Sequence, residues 1–158
     1  MSPDQLGRGW KILERLRAPD ALMSLAYDLY KVGGEEVKRL SRSDKKLLHL
    51  ARALVYNPEI LIVHSPTLLL DQEHQHVIID VLRDFVNERG LELPKATRYR
   101  RRPRTCVFST RSKADLRCVD TILECGGGKV KTVSLAEAEK HFRDWTLAIS
   151  KNSYAFAS

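Results

Sequence analysis

Leu40–Asp71 reads LSRSDKKLLHLARALVYNPEILIVHSPTLLLD, and the punctuation of this stretch decides the fold. Ser41 or Ser43 is placed to cap a helix beginning near Asp44, because a serine hydroxyl accepts from the unpaired N–H groups of a first helical turn. Asp44 then sits in that turn, where the helix dipole favours negative charge. Leu47, Leu48, Leu50, Ala51 and Leu54 give the helix a broad apolar face, and Asn57-Pro58 stops it. Glu59-Ile60-Leu61-Ile62-Val63 follows, rich in branched aliphatics, and predicts a strand buried on both faces of a parallel sheet. His64-Ser65-Pro66-Thr67 ends that strand, and Asp71 opens the next helix.

Working outward, Asp71 to Asn87 carries Val77, Ile78, Val81, Leu82 and Phe85 at helical spacing, with Gly90 closing the helix. Thr105–Ser109 predicts a second buried strand, Ser112–Arg117 a short helix and Val119–Glu124 a third strand. Gly126-Gly127-Gly128 then turns into an edge strand at Lys129–Val133. Gly126 to Lys129 superficially resembles a phosphate loop, but its spacing is wrong and a strand follows it, so a hairpin turn is the better reading.

Upstream, residues 1–9 read as a mobile polar arm, and Trp10, Ile12, Leu13 and Leu16 as a helical stripe. Asp20 can cap a second helix bearing Leu22, Leu25, Ala26, Leu29 and Tyr30, ended by Gly33-Gly34. Downstream, Leu135 to Ile149 reads as an amphipathic helix with Ala138, Phe142, Trp145 and Ile149. With Tyr154 beyond it, that tail can pack on the sheet or dock a neighbour. Alternating strands and helices predict an α/β fold, mainly parallel, with flanking helices and a C-terminal β-hairpin. Ligands of such sheets sit at the carboxyl ends of strands, which places His64-Ser65 and Thr110-Arg111 on one rim.

Composition bounds the function. The chain has 158 residues, 43% hydrophobic and 30% charged, enough for one domain with a real core. Its net charge of +7 favours phosphate-bearing, anionic or acidic partners without choosing among them. The densest cluster is the basic loop 91–104, with Lys95, Arg98, Arg100, Arg101, Arg102 and Arg104 beside Tyr99. It reads as a solvated loop or an anchor for an acidic protein. Nucleic acid and an anionic membrane surface are the alternatives. Three cysteines without a CxxC support neither a disulfide framework nor a zinc site, and Cys106 and Cys118 lie among apolar residues as expected buried thiols. His74 and His76 stand two apart on a helix, on different faces, so they read as surface polar residues rather than joint metal ligands. No apolar run reaches 18 residues and MSPDQLGRGW has no apolar core. The expectation is therefore an intracellular, reducing compartment, the cytoplasm or an organelle interior, with no membrane span but compatible with the periphery of a membrane complex.

The order and spacing of these motifs over about residues 36–134 resemble the C-terminal half of an ABC-type ATPase nucleotide-binding domain. Leu40-Ser41-Arg42-Ser43-Asp44 falls on the LSGGQ signature, and Leu50–Leu54 on the helix that follows it. Asn57 to Val63 is similar to the Walker B strand, Pro66-Thr67 and Leu70-Asp71 to the segment ending in the D-loop, and Val107 to Arg111 to the switch strand. The resemblance implies a partial P-loop-NTPase-like sheet. It implies a Walker B aspartate and a catalytic glutamate where this chain has His64 and Ser65, and a switch histidine where it has Arg111. It implies signature glycines where Arg42 and Ser43 stand. Imidazole is a poor ligand for magnesium, and a serine hydroxyl without a base cannot take a proton from water. No GxxxxGK[ST] occurs in the chain.

Three segments follow: an N-terminal helical segment 1–35, a degenerate ABC-ATPase-like domain 36–134, and a C-terminal helix and tail 135–158. The expected function is a non-catalytic, structural or regulatory subunit of a larger protein assembly, with no catalytic residue, metal or cofactor of its own. One alternative is a helper chain whose Ser41 and Asp71 face a P-loop on a partner ABC chain, ATP and magnesium being held only with that partner. The other is a nucleic-acid-binding module built on the arginine loop. The resemblance also implies that the missing half supplies central strands, so the strands kept here should have an open edge, covered by another chain or by the terminal helices.

Overall fold

The computed structural model describes residues 3–29, 38–126 and 128–140. These fall in two compact units, Met1–Ser109 and Thr110–Ser158, whose boundary lies inside the stretch 36–134.

In the first unit, α1 (Pro3–Arg15) and α2 (Asp20–Leu29) precede α3 (Arg42–Tyr56), β1 (Ile60–His64), α4 (Gln72–Asn87), a 3₁₀ helix (Lys95–Arg100) and β2 (Thr105–Ser109). Serine and asparagine set the limits of α3. Ser41 is its N-cap and accepts from Asp44 N at 3.0 Å, while Asn57 ends it in the left-handed conformation at φ 57°. Asp71 caps α4 in the same way, accepting from His74 N at 2.9 Å. Gly90 closes the turn after α4 at φ 109°, and a Cβ there would stand 2.4 Å from Asn57 Oδ1, so only glycine fits.

One core joins these elements. Ile12, Leu16, Leu54, Phe85 and Leu91 are fully buried, with Leu22, Leu47, Leu61 and Leu82 around them. The predicted polar arm is instead the first two turns of α1. Pro3 opens the helix, where a missing N–H costs nothing. Arg8 secures it: Nε donates to Leu91 O at 2.7 Å, Nη1 to Val55 O at 2.7 Å and Nη2 to Leu54 O at 2.9 Å. The last two are carbonyls that α3 leaves unpaired at its end. Arg15 repeats the tie at the other end of α1, reaching Asp84 at 2.7 Å, Glu92 at 3.2 Å and Glu88 at 3.3 Å.

The sheet departs from expectation in two ways. β1 and β2 pair in parallel, Ile60 with Thr105 through His64 with Ser109, and no third strand joins them among the described residues. The predicted third strand, β3 (Ile122–Gly126), pairs antiparallel with β4 (Lys129–Val133) in a separate two-stranded sheet of the second unit. The strands are also not buried on both faces. Leu61 and Val63 of β1, with Cys106 and Phe108 of β2, pack onto the core. Ile60 and Ile62, on the other face, are 64% and 77% exposed. A parallel sheet needs a layer on each side; the helices of this unit supply one.

In the second unit, α5 (Lys113–Leu116) leads to β3 and β4, and residues 135–140 are helical. Thr110 Oγ1 donates to the buried Asp115 at 2.5 Å and accepts from Ser112 N at 2.9 Å. Ser134 and Glu137 satisfy each other's N–H groups, a reciprocal cap for the last helix. Cys118, expected buried, is exposed, while Cys106 is half-buried and burial pushes its thiol up to about 11. Gly33-Gly34, Tyr30 and the tail residues Phe142, Trp145, Ile149 and Tyr154 lie outside the described residues. No described helix is long and apolar enough to cross a membrane.

Candidate functional site

β1 ends at His64, and the chain then turns at Ser65. Ser65 has φ 46°, a left-handed conformation that costs a non-glycine residue of order 1 kcal/mol and persists only where its surroundings enforce it. They do so here from both sides. Ser65 N donates to Ser109 O at 3.1 Å and lies 3.1 Å from Ser109 Oγ, at the end of β2. Ser65 O accepts from Lys46 Nζ at 2.5 Å, and the same ammonium reaches Leu68 O at 2.8 Å. Lys46 projects from α3 across the strand end, and burial lowers its pKa.

His64 pairs with Ser109 rather than with its sequence neighbour: His64 Nδ1 and Ser109 Oγ are 2.8 Å apart. Register explains it, because His64 and Ser109 are directly opposite in the parallel ladder and so point to the same face. Below this pair lies a cleft of about 220 Å³ between α3 and β1, lined by Leu47, Leu50, Ala53, Ile62 and Leu70, with Lys46, His49 and His64 as its polar residues. Among the described residues no acidic side chain lines it. Arg111 is exposed and belongs to the second unit.

The signature-like residues are occupied locally. Ser41 Oγ donates to Asp44 Oδ2 at 2.6 Å, accepts from Asp44 N and lies 3.0 Å from Ser43 Oγ. Leu40 packs against the core and Arg42 begins α3. Asp71 is likewise committed, with Oδ1 on His74 N and Oδ2 2.6 Å from His74 Nδ1.

His74 is more than a surface polar residue. Its Nε2 lies 3.2 Å from Arg17 O, at the link between α1 and α2. Both ring nitrogens therefore face acceptors, a carboxylate and a carbonyl, and only the imidazolium can donate to both. The hydrogen bond to Asp71 holds the His74 pKa above its ordinary 6.5, and the His74 backbone and side chain hold Asp71 below its ordinary 3.8. The stability gained through His74 is fully present below 6.5 and is lost as pH rises through the raised folded value. The gain through Asp71 runs the other way, present above 3.8 and lost as pH falls through its depressed value. Denaturation midpoints should therefore be highest between 3.8 and 6.5 and fall as pH rises through the raised His74 value. His74→Gln should flatten the alkaline part of that profile; an unchanged profile would remove this role for His74.

The arginine loop is ordered largely by its own donors. Arg98 Nη2 and Nε donate to Asn87 O at 2.6 and 2.9 Å, and Arg101 reaches Glu88 O at 2.9 Å and Arg89 O at 3.1 Å. These are the last carbonyls at the C-terminal end of α4, where positive charge is favoured by the helix dipole. Arg104 Nε donates to Asn57 Oδ1 at 3.2 Å. Of the six cations, Arg100 lies over the Tyr99 ring at 5.3 Å and Arg102 meets Glu59 at 3.2 Å, both at the surface with Lys95. Two of the six, Arg98 and Arg101, are thus consumed at the end of α4 and a third, Arg104, on the residue that ends α3, roles signalled in the sequence by the position of the cluster just after Gly90.

No family model matches the chain. Over part of its length it is similar to ATP-binding proteins of ABC transporters. It is 35% identical over 69 residues to the multidrug resistance-like ATP-binding protein MdlB of Buchnera aphidicola, covering 44% of this chain and 12% of that protein. It is 34% identical over 80 residues to the methionine import ATP-binding protein MetN of Corynebacterium diphtheriae, covering 51% and 23%. It is 29% identical over 97 residues to the cyclolysin secretion/processing ATP-binding protein CyaB of Bordetella pertussis, covering 61% and 12%. The similarity therefore spans between 12% and 23% of these relatives' own lengths.

Proposed function

We propose that the chain is a non-catalytic, ABC-ATPase-like subunit that contributes structure or regulation to a larger protein assembly. The observation that carries this reading is the end of β1. The two positions where the resemblance implies carboxylates hold His64, hydrogen-bonded to Ser109, and Ser65, whose backbone is pinned by Ser109 and Lys46. An imidazole nitrogen already engaged by a hydroxyl and a serine are a poor donor set for magnesium, which takes oxygen ligands and above all carboxylates. The residues present do not fit MgATP, and no step is assigned to it. A Ser-His hydrolase reading gains nothing either: the serine on His64 is Ser109, and among the described residues no carboxylate in the cleft orients the ring.

The helper-chain alternative requires Ser41 to turn from Asp44 toward a partner's phosphate loop, and Asp71 to leave the α4 cap. The nucleic-acid alternative has Lys95, Arg100 and Arg102 left to it, since Arg98, Arg101 and Arg104 hold the fold. Offering the full chain MgATP and following phosphate release tests the reading: no release above the buffer background is expected, and magnesium-dependent release would overturn it.

A further inference from the structure

The strand sequence Ile60-Leu61-Ile62-Val63 is apolar on both faces, but only Leu61 and Val63 are covered. The uncovered face presents Ile60 at 64% exposure, Ile62 at 77% and, directly opposite Ile62 on β2, Val107 at 46%. Ile62 also lines the cleft of about 220 Å³ against α3, so the flat apolar patch and the cleft form one continuous surface. The cleft has room for one leucine- or phenylalanine-sized side chain. Its polar residues, among the described ones, are Lys46, His49 and His64, with no acid among them. Glu59, the nearest carboxylate in sequence, is paired with Arg102.

We infer that this face seats an amphipathic helix of a partner chain, with acidic residues flanking its apolar stripe and one large apolar side chain entering the cleft. A helix is the element that covers a parallel sheet face, since the alternating right-handed connections of such sheets put helices on both sides. The acidic flank follows from the polar rim: Lys46 is the cation at the cleft, His49 and His64 beside it offer hydrogen bonds, and the nearest carboxylate in sequence, Glu59, is offset by Arg102, on a chain of net charge +7. Charge of this kind selects a partner and speeds encounter, while the buried apolar anchor holds it. The inference rests on the reading of the chain as a subunit of an assembly and names the surface that subunit uses.

Two synthetic helices of about 18 residues test it, with identical leucine stripes at helical spacing, one flanked by glutamate and the other by lysine. Binding to the full chain is measured by calorimetry, and hydrogen exchange locates it. The glutamate helix should bind at least about tenfold more tightly than the lysine helix and slow exchange in 60–64 and 105–109. Ile62→Asp, at an exposed position, should keep the fold and lose about tenfold or more in affinity. His49→Glu should narrow the preference between the two peptides. Equal affinity for both peptides, or full binding by Ile62→Asp, overturns the inference. So does a dimer of the free chain that Ile62→Asp dissociates, which makes a second copy the occupant. Protection of Ile62 in the free monomer that disappears when residues 141–158 are removed overturns it in favour of the chain's own tail. Phosphate release from MgATP would overturn the non-catalytic reading and leave the peptide result standing.

Discussion

Phe85→Ala should lower the stability of the chain by about 3–5 kcal/mol, the range for emptying a fully buried aromatic site. Phe85 is 0% exposed and shares one core with Ile12, Leu16, Leu54 and Leu91, so the cavity opens between α1, α3 and α4 at once. A domain of this size holds about 5–15 kcal/mol in total, so the loss is a large share of it. Urea denaturation should show a reduced midpoint at unchanged slope. A loss below about 1 kcal/mol would mean that these helices do not share a close-packed core.

Arg8→Ala should cost about 2–4 kcal/mol, because three carbonyls lose a charged donor and two of them end α3. Burial, and then the nearby Arg101, lower the Arg8 pKa, so the fold bears an electrostatic strain to keep this guanidinium in place. Arg8→Lys should recover only part of the loss, since an ammonium cannot present the fork that reaches Leu91 on one side and Leu54 and Val55 on the other. Arg102→Ala serves as the contrast. Its pair with Glu59 is exposed, and the change should stay within about 0.5 kcal/mol. If the two alanine variants are equally stable, α1 is not anchored through Arg8.

Arg8 and Arg102 show where reading the sequence succeeds and where it stops. The limits of α3, β1, α4 and β2 were legible because they are set locally: a serine cap, an asparagine stop, a run of branched aliphatics, an aspartate cap. Long-range pairings leave no such mark. Arg8 sits in a polar stretch and meets its acceptors 46 to 83 residues away. Pro3 and the spacing of Leu6, Ile12, Leu13 and Leu16 were the signals that α1 begins early. Asp71-Gln72-Glu73-His74 holds the capping spacing that ties His74 to Asp71, but the Arg17 carbonyl that fixes the other ring nitrogen comes from α1–α2 and could not be foreseen.

At the candidate site the residue types were legible and their partners were not. His64 and Ser65 stand where carboxylates were implied, and that substitution is visible in the sequence alone. That His64 meets Ser109 depends on the register of β1 against β2. The run Ile60–Val63 announced a parallel strand, and the pairing of β1 with β2 bears that out, but the expected burial on both faces does not hold. It could not say that, among the described residues of the first unit, the helices pack on Leu61 and Val63 and leave Ile60 and Ile62 exposed.

Phosphate release from MgATP by the full chain tests the central claim most directly. Release should be no faster than the buffer background, with no difference between the chain and its Ser65→Ala variant, because Ser65 is held as a turn residue by Ser109 and Lys46. Magnesium-dependent release above background that Ser65→Ala abolishes would contradict it.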